Sequence, residues 1–208
     1  MIIEKINNFY KKEEEPRDRD LFYINEVGDC PVKIYYAFKK LPKEQLKPGV
    51  YMKFAHGSYA HMHLMSLLFS LGIAKSVEIN IPENELFRGR ADAIIVIDGE
   101  PYIIELKTVN KIGFESLAKP DYDMVKQLQL YLHYFNLNKG IILIENKDTQ
   151  ELKEFMIKKD EMQIKQILNE FIELKKKIEN NKIPEKPEEL AEWKCDYCVY
   201  KNNCGKKD

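Results

Sequence analysis

Apolar positions along the chain follow two rhythms, and the change from one to the other marks the elements. From Pro31, the residues Val32, Tyr35, Tyr36 and Phe38 recur at helical spacing, and residues 42–48, bounded by prolines, read as a connecting loop. A second helix is predicted over about residues 56–71, with Leu64, Leu67, Leu68 and Leu71 as its apolar stripe and Gly72 as its stop. The middle of the chain changes period. Residues 76–81, 89–98 and 102–108 are rich in β-branched side chains and bounded by turn signals, and Asp98-Gly99 is a strong two-residue hairpin turn. After Pro120, Asp121 is placed to cap a helix running to about Phe135, and a strand follows Gly140. Residues 152–157 are expected to pair back on that strand. Asp160 and Gln163 resemble a capping box opening a helix whose apolar positions Ile164, Ile167, Leu168, Phe171, Leu174 and Ile178 repeat at helical period.

The two ends differ from this middle. Residues 1–20 are charge-dense and read as a polar lead-in or short surface helix, with 11–15 and 17–20 as solvated runs; residues 21–183 carry the core; 184–208, after a break near Pro187, form a small cysteine-bearing appendage. A length of 208 residues suits one domain of ordinary size plus such an appendage. With 44% hydrophobic and 32% charged residues, the composition excludes a disordered chain and a membrane protein. The longest aliphatic runs are four residues, and Met1 is not followed by a cationic export leader, so a cytoplasmic address is expected. The 33 basic and 34 acidic side chains nearly cancel, so any contact with nucleic acid must be local.

Chemistry enters with the cysteines and carboxylates. Cys195, Cys198 and Cys204 form a C-x2-C-x5-C cluster, and Cys30 stands alone far upstream. In a reducing compartment such cysteines read first as ligands or redox groups rather than disulfides. Four thiolates suit structural zinc as well as an iron-sulfur cluster. In the strand region, a two-residue loop at Asp98-Gly99 sets Ile97 opposite Glu100, and counting back puts Asp92 opposite Glu105. Glu105 and Lys107 then share one face while Ile104 and Leu106 point to the other. Two adjacent carboxylates repel unless a cation lies between them. A divalent metal on hard oxygen ligands removes the conflict and suits phosphodiester hydrolysis, with Lys107 near enough to orient water or neutralise phosphate charge. The plainer alternative is a solvent-facing hairpin with a cross-strand salt bridge.

Two further pairs belong with these. Gly57 and His61 lie one helical turn apart, where the glycine permits close approach and a neutral imidazole can complete a metal site. Gln127 and Tyr131 share one helical face at i, i+4, suited to a nucleotide base or phosphate.

The ordered set Gly57-x-x-x-His61, Gly89-x-x-Asp92, Glu105-x-Lys107 and Gln127-x-x-x-Tyr131 resembles the RecB-type branch of the PD-(D/E)XK nuclease superfamily. With Cys30-Pro31 and the three C-terminal cysteines added, the chain is similar to the CRISPR-associated iron-sulfur exonucleases, the fourth Cas protein family. Ala91 stands where the superfamily's name has a proline, a departure that the RecB branch tolerates. The resemblance implies an α/β fold: a restriction-endonuclease-like core with a mixed central sheet flanked by helices, plus a small C-terminal iron-sulfur module. It implies a Mg or Mn ion held by His61, Asp92 and Glu105, with Lys107 as the catalytic lysine. It implies DNA binding by Gln127 and Tyr131, and a [4Fe-4S] cluster on Cys30, Cys195, Cys198 and Cys204. The implied activity is exonuclease action on single-stranded DNA ends, trimming fragments for a CRISPR integrase complex; self-association is a further expectation. The alternatives are a stand-alone recombination, repair or mobile-element nuclease, and a non-catalytic DNA-binding or scaffold subunit.

Overall fold

The computed structural model describes residues 1–10 and 19–204, so most of the predicted charged runs at 11–20 lie outside the described residues. The chain divides into two compact units. The larger comprises 21–28 and 56–169; the other comprises 1–20, 29–55 and 170–208. The helices are α1 (Ile2–Tyr10), α2 (Pro31–Phe38), α3 (Pro48–Ser70), α4 (Lys111–Ser116), α5 (Tyr122–Tyr134), α6 (Glu161–Glu179) and α7 (Glu192–Asp196). The strands are β1 (Phe22–Tyr23), β2 (Ala74–Asn80), β3 (Phe87–Arg88), β4 (Arg90–Ile97), β5 (Glu100–Val109), β6 (Lys139–Asn146) and β7 (Leu152–Lys158).

In the larger unit five strands form one mixed sheet in the order β2-β4-β5-β6-β7, and β1 pairs with β3 in a short parallel ribbon. β5 and β6 pair in parallel while the other neighbours are antiparallel. A parallel step needs a crossover, which α4 and α5 supply. The hairpin turn is as expected: Asp98 (φ 52°) and Gly99 (φ 81°) both take the positive φ that a type I′ turn requires, and Ile97 faces Glu100. Asp160 accepts hydrogen bonds from the Met162 and Gln163 amides at 2.9 and 3.1 Å, capping α6. On one face of the sheet Leu64, Met65 and Leu68 pack with Ala93, Ile95, Ile104, Leu106 and Ile141.

Two expectations need correction, and one short helix was not among them. The helix expected at 56–71 begins at Pro48, because its first two turns carry the exposed Met52 and Phe54 and lack an inward stripe, while Pro48 costs nothing at a first helical position. Leu67 and Leu71 are exposed at 44% and 69%; the buried stripe runs through Leu64, Met65 and Leu68 instead. The short α4 was absent from the pattern because it buries only Phe114, and its start is set by Asn110, whose side chain accepts from the Gly113 amide at 2.8 Å.

In the second unit the C-terminal tail is tied to residues 29–55. The Glu44 amide donates to the Val199 carbonyl at 2.8 Å, the Asn202 amide donates to the Glu44 carboxylate at 2.7 Å, and the Tyr36 hydroxyl donates to the Asn203 carbonyl at 3.1 Å. The Tyr36 and Tyr200 rings meet edge to face at 5.9 Å.

Candidate active site

The carboxylates sit in the larger unit, where β4 and β5 part. The paired ladder runs from Ile97 and Glu100 to Ala93 and Ile104, so it ends one rung before Asp92. In place of the next rung, Asp92 accepts a hydrogen bond from the Leu106 amide at 2.7 Å. Its other oxygen lies 3.6 Å from Nδ1 of His61, on α3. Glu105 is 3% exposed, which excludes a solvent-facing decorated hairpin. The Lys107 ammonium lies 2.7 Å from the Glu105 carboxylate and donates to the Gln127 amide oxygen at 2.9 Å.

Burial sets the electrostatics. It pushes the Glu105 carboxyl up to about 7, with Asp92 adding to the rise and Lys107 opposing it. The neighbouring Asp92 carboxylate holds the His61 imidazole above its usual range, against the opposing effect of burial. Such a paired acid in a dry setting is suited to receive a cation, and its hard oxygen donors match a divalent metal. Among the described residues, however, no three His, Cys, Asp or Glu side chains are already gathered in metal-holding geometry.

Gln127 and Tyr131 are present on one face of α5 but are buried, at 8% and 2% exposure. Their polar atoms are engaged within the protein: Gln127 accepts from Lys107, and the Tyr131 hydroxyl donates to the Arg90 carbonyl at 2.9 Å. Burial holds the Tyr131 phenol well above its usual range. The i, i+4 spacing indicated a shared face, but nothing in it indicated that Lys107 would occupy Gln127. Gly57 is not forced by close packing: a Cβ there would lie 3.7 Å from the Thr108 hydroxyl, an ordinary contact.

The cysteines belong to the second unit, and all four are free thiols. Cys30 is the N-cap of α2, ahead of Pro31. In the tail, the amides of Cys198, Lys201 and Cys204 bond three residues back, to the carbonyls of Cys195, Cys198 and Lys201, so tight turns link the three cysteines. All four line one cavity of about 260 Å³ together with Lys33, Lys186, Lys194 and Lys201. Burial raises the Cys198 thiol. Four unoxidised sulfurs on one cavity form a suitable donor set for a thiolate-bound metal or cluster, although their present spacing does not gather three on one point.

A mixed sheet carrying Asp92, Glu105 and Lys107 beside a helical histidine has the composition of a metal-assisted phosphodiesterase site. The chain matches the PD-(D/E)XK nuclease superfamily over residues 26–205 and belongs to it; it is a nuclease. It is 27% identical over 201 residues to the CRISPR-associated exonuclease Cas4 of Saccharolobus solfataricus, covering 92% of this chain and 90% of that one. These likenesses support a Cas4-like nuclease of the RecB type. The fold is similar to the crystal structure of SSO0001, with a TM-score of 0.61 at 23% identity over 99% of this chain and 96% of that one. It is also similar to an alkaline exonuclease from Laribacter hongkongensis, with a TM-score of 0.56 at 15% identity over 86% and 93% of the two chains. Among the described residues no helix is long and apolar enough to cross a membrane.

Proposed function

We propose that this nuclease is a divalent-metal-dependent deoxyribonuclease that removes nucleotides from single-stranded DNA ends, and that it trims DNA for insertion by a CRISPR integrase complex. The observation that carries the chemistry is the buried Glu105 with Lys107 at 2.7 Å, next to Asp92 and His61. His61, Asp92 and Glu105 are the residues that would hold Mg²⁺ or Mn²⁺. When bound, such an ion polarises the scissile phosphate and makes water nucleophilic at neutral pH.

The chain's own groups do the rest. Asp92 is fixed by the Leu106 amide, which leaves its other oxygen directed to His61. The proton favoured on His61 by Asp92, and the one favoured on Glu105 by burial, must both leave before these side chains act as ligands. Lys107 is held between Glu105 and Gln127, so its ammonium is fixed where it can orient the attacking water or offset charge on the phosphate. Gln127 and Tyr131 are read as positioning residues: one steadies Lys107 and the other anchors the start of β4. Cys30, Cys195, Cys198 and Cys204 are assigned to a [4Fe-4S] cluster that ties the tail to residues 29–55.

The CRISPR part of the reading rests on the Cas4 likeness and on the cysteine pattern. The test is digestion of end-labelled single- and double-stranded DNA with Mg²⁺, Mn²⁺ or EDTA. Metal-dependent shortening of single strands from an end is expected; cleavage that persists in EDTA would reject the assignment. Adjacency of the gene to integrase genes supports adaptation, and its absence favours a stand-alone nuclease.

A further inference from the structure

β7 is the last strand of the sheet and pairs with β6 alone, so its outer edge carries unpaired backbone groups. Which groups those are follows from the ladder. The Asn146 amide donates to the Glu151 carbonyl and the Lys159 amide to the Asn138 carbonyl, both at 2.9 Å, so the odd-numbered residues of β7 are the ones bonded to β6. The even-numbered Leu152, Glu154, Met156 and Lys158 therefore turn their amides and carbonyls outward. One end of this edge is closed by Gln129, whose side chain donates to the Lys158 carbonyl at 2.8 Å and accepts from the Asp160 amide at 2.9 Å. The side chains of the same four residues share one face of the sheet, and all four are exposed. Among the described residues neither the Glu154 carboxylate nor the Lys158 ammonium has an ion-pair partner. Four residues apart on an extended strand, they start roughly 13 Å from one another, too far to pair between themselves.

A second copy of the chain meets both charges and the open edge at once. When β7 pairs antiparallel with β7 of another molecule about a two-fold axis through Met156, the outward residues face each other. Met156 then lies against Met156 of the second copy, and Glu154 lies opposite Lys158 on each side of the axis. Moving the axis to Phe155 sets Met156 against Glu154 and Leu152 against Lys158, and moving it to Glu154 brings two carboxylates together, so charge selects the Met156 register. On the other face this register sets Lys153 opposite Lys159, but both are already engaged within their own chain. Lys153 donates to the Phe114 and Leu117 carbonyls, and Lys159 pairs with Glu161 at 2.8 Å. We propose that β7 is the docking edge for a second copy of this chain, which joins the two sheets into one across a two-fold axis at Met156. The backbone ladder supplies the attachment, and the two Glu154–Lys158 pairs fix its register.

The test is sedimentation equilibrium of the full chain, purified without oxygen, as wild type, E154K, K158E and a double variant carrying both substitutions. Wild type is expected to be a dimer. Each single variant sets like charges opposite one another twice in the seam, so its dimer should dissociate about tenfold more readily. The double variant exchanges the two signs and should return to the wild-type dissociation constant. An equimolar mixture of E154K and K158E should also pair, because each chain then faces opposite charges on the other. Far-ultraviolet spectra should not change, since both positions are exposed. A wild type that is monomeric at every concentration overturns the proposal. Dimers that neither single substitution weakens overturn it too, by placing the contact on another surface. Single variants that dissociate without recovery in the double variant or the mixture overturn the Met156 register and the proposal with it.

Discussion

Replacing Glu105 by glutamine should stabilise the metal-free protein above neutral pH while abolishing cleavage. Burial displaces the carboxyl from an ordinary 4.5 to about 7. At 1.36 kcal/mol for each tenfold change in proton affinity, that displacement is worth about 3 kcal/mol. Because the folded value is the higher one, the folded state holds the proton more tightly than the unfolded chain. The stabilisation is therefore complete below about 4.5 and is lost as pH rises through 7. Glutamine at 105 keeps the shape and cannot ionise, so E105Q has no such loss. The assay is urea unfolding in EDTA, wild type against E105Q, at pH 5 and pH 8. The stability difference between the two proteins should move by about 3 kcal/mol in favour of E105Q between those pH values. Mg²⁺ at pH 8 should recover stability for wild type and far less for E105Q. Parallel stability profiles for the two proteins would refute the reasoning, since they would mean that Glu105 is not a buried acid under strain.

Asp92→Ala and Lys107→Ala should each reduce cleavage to background with the far-ultraviolet spectrum unchanged, because each removes part of one chemical unit; His61→Ala should retain residual activity, since water can replace a single ligand. Gly89→Ala should cost about 1–3 kcal/mol in urea unfolding, as its Cβ would come within 2.9 Å of the Ile24 side chain. Protein purified without oxygen should be brown with about four irons per chain, and Cys→Ser at position 30, 195, 198 or 204 should remove most of that iron; colourless protein with one zinc would leave the fold standing and replace the cofactor.

Local chemistry determined much of this protein. Asp98-Gly99 is chemically a type I′ turn, so the hairpin register and the shared side of Glu105 and Lys107 follow from period-two alternation alone. The helices over 122–134 and 161–179 were legible from apolar spacing; Asp160 caps the second as expected, whereas Asp121 stands at the N-cap of the first without a side-chain hydrogen bond to it. What no local pattern contains is the far partner. That Glu105 is buried rather than solvated depends on how α5 covers the sheet, and only that burial turns a common acidic pair into a strained acid. That Gln127 holds Lys107, and that Tyr131 holds the Arg90 carbonyl, depends on contacts across 20 and 41 residues of chain. The cysteines illustrate the same division. Their spacing marked them as ligands, but the meeting of Cys30 with residues 195–204 in one cavity arises only when the tail packs against residues 29–55. Sequence determines elements through backbone preferences that act over a few residues, whereas burial and charge pairing are properties of the space between elements, which only the tertiary structure defines.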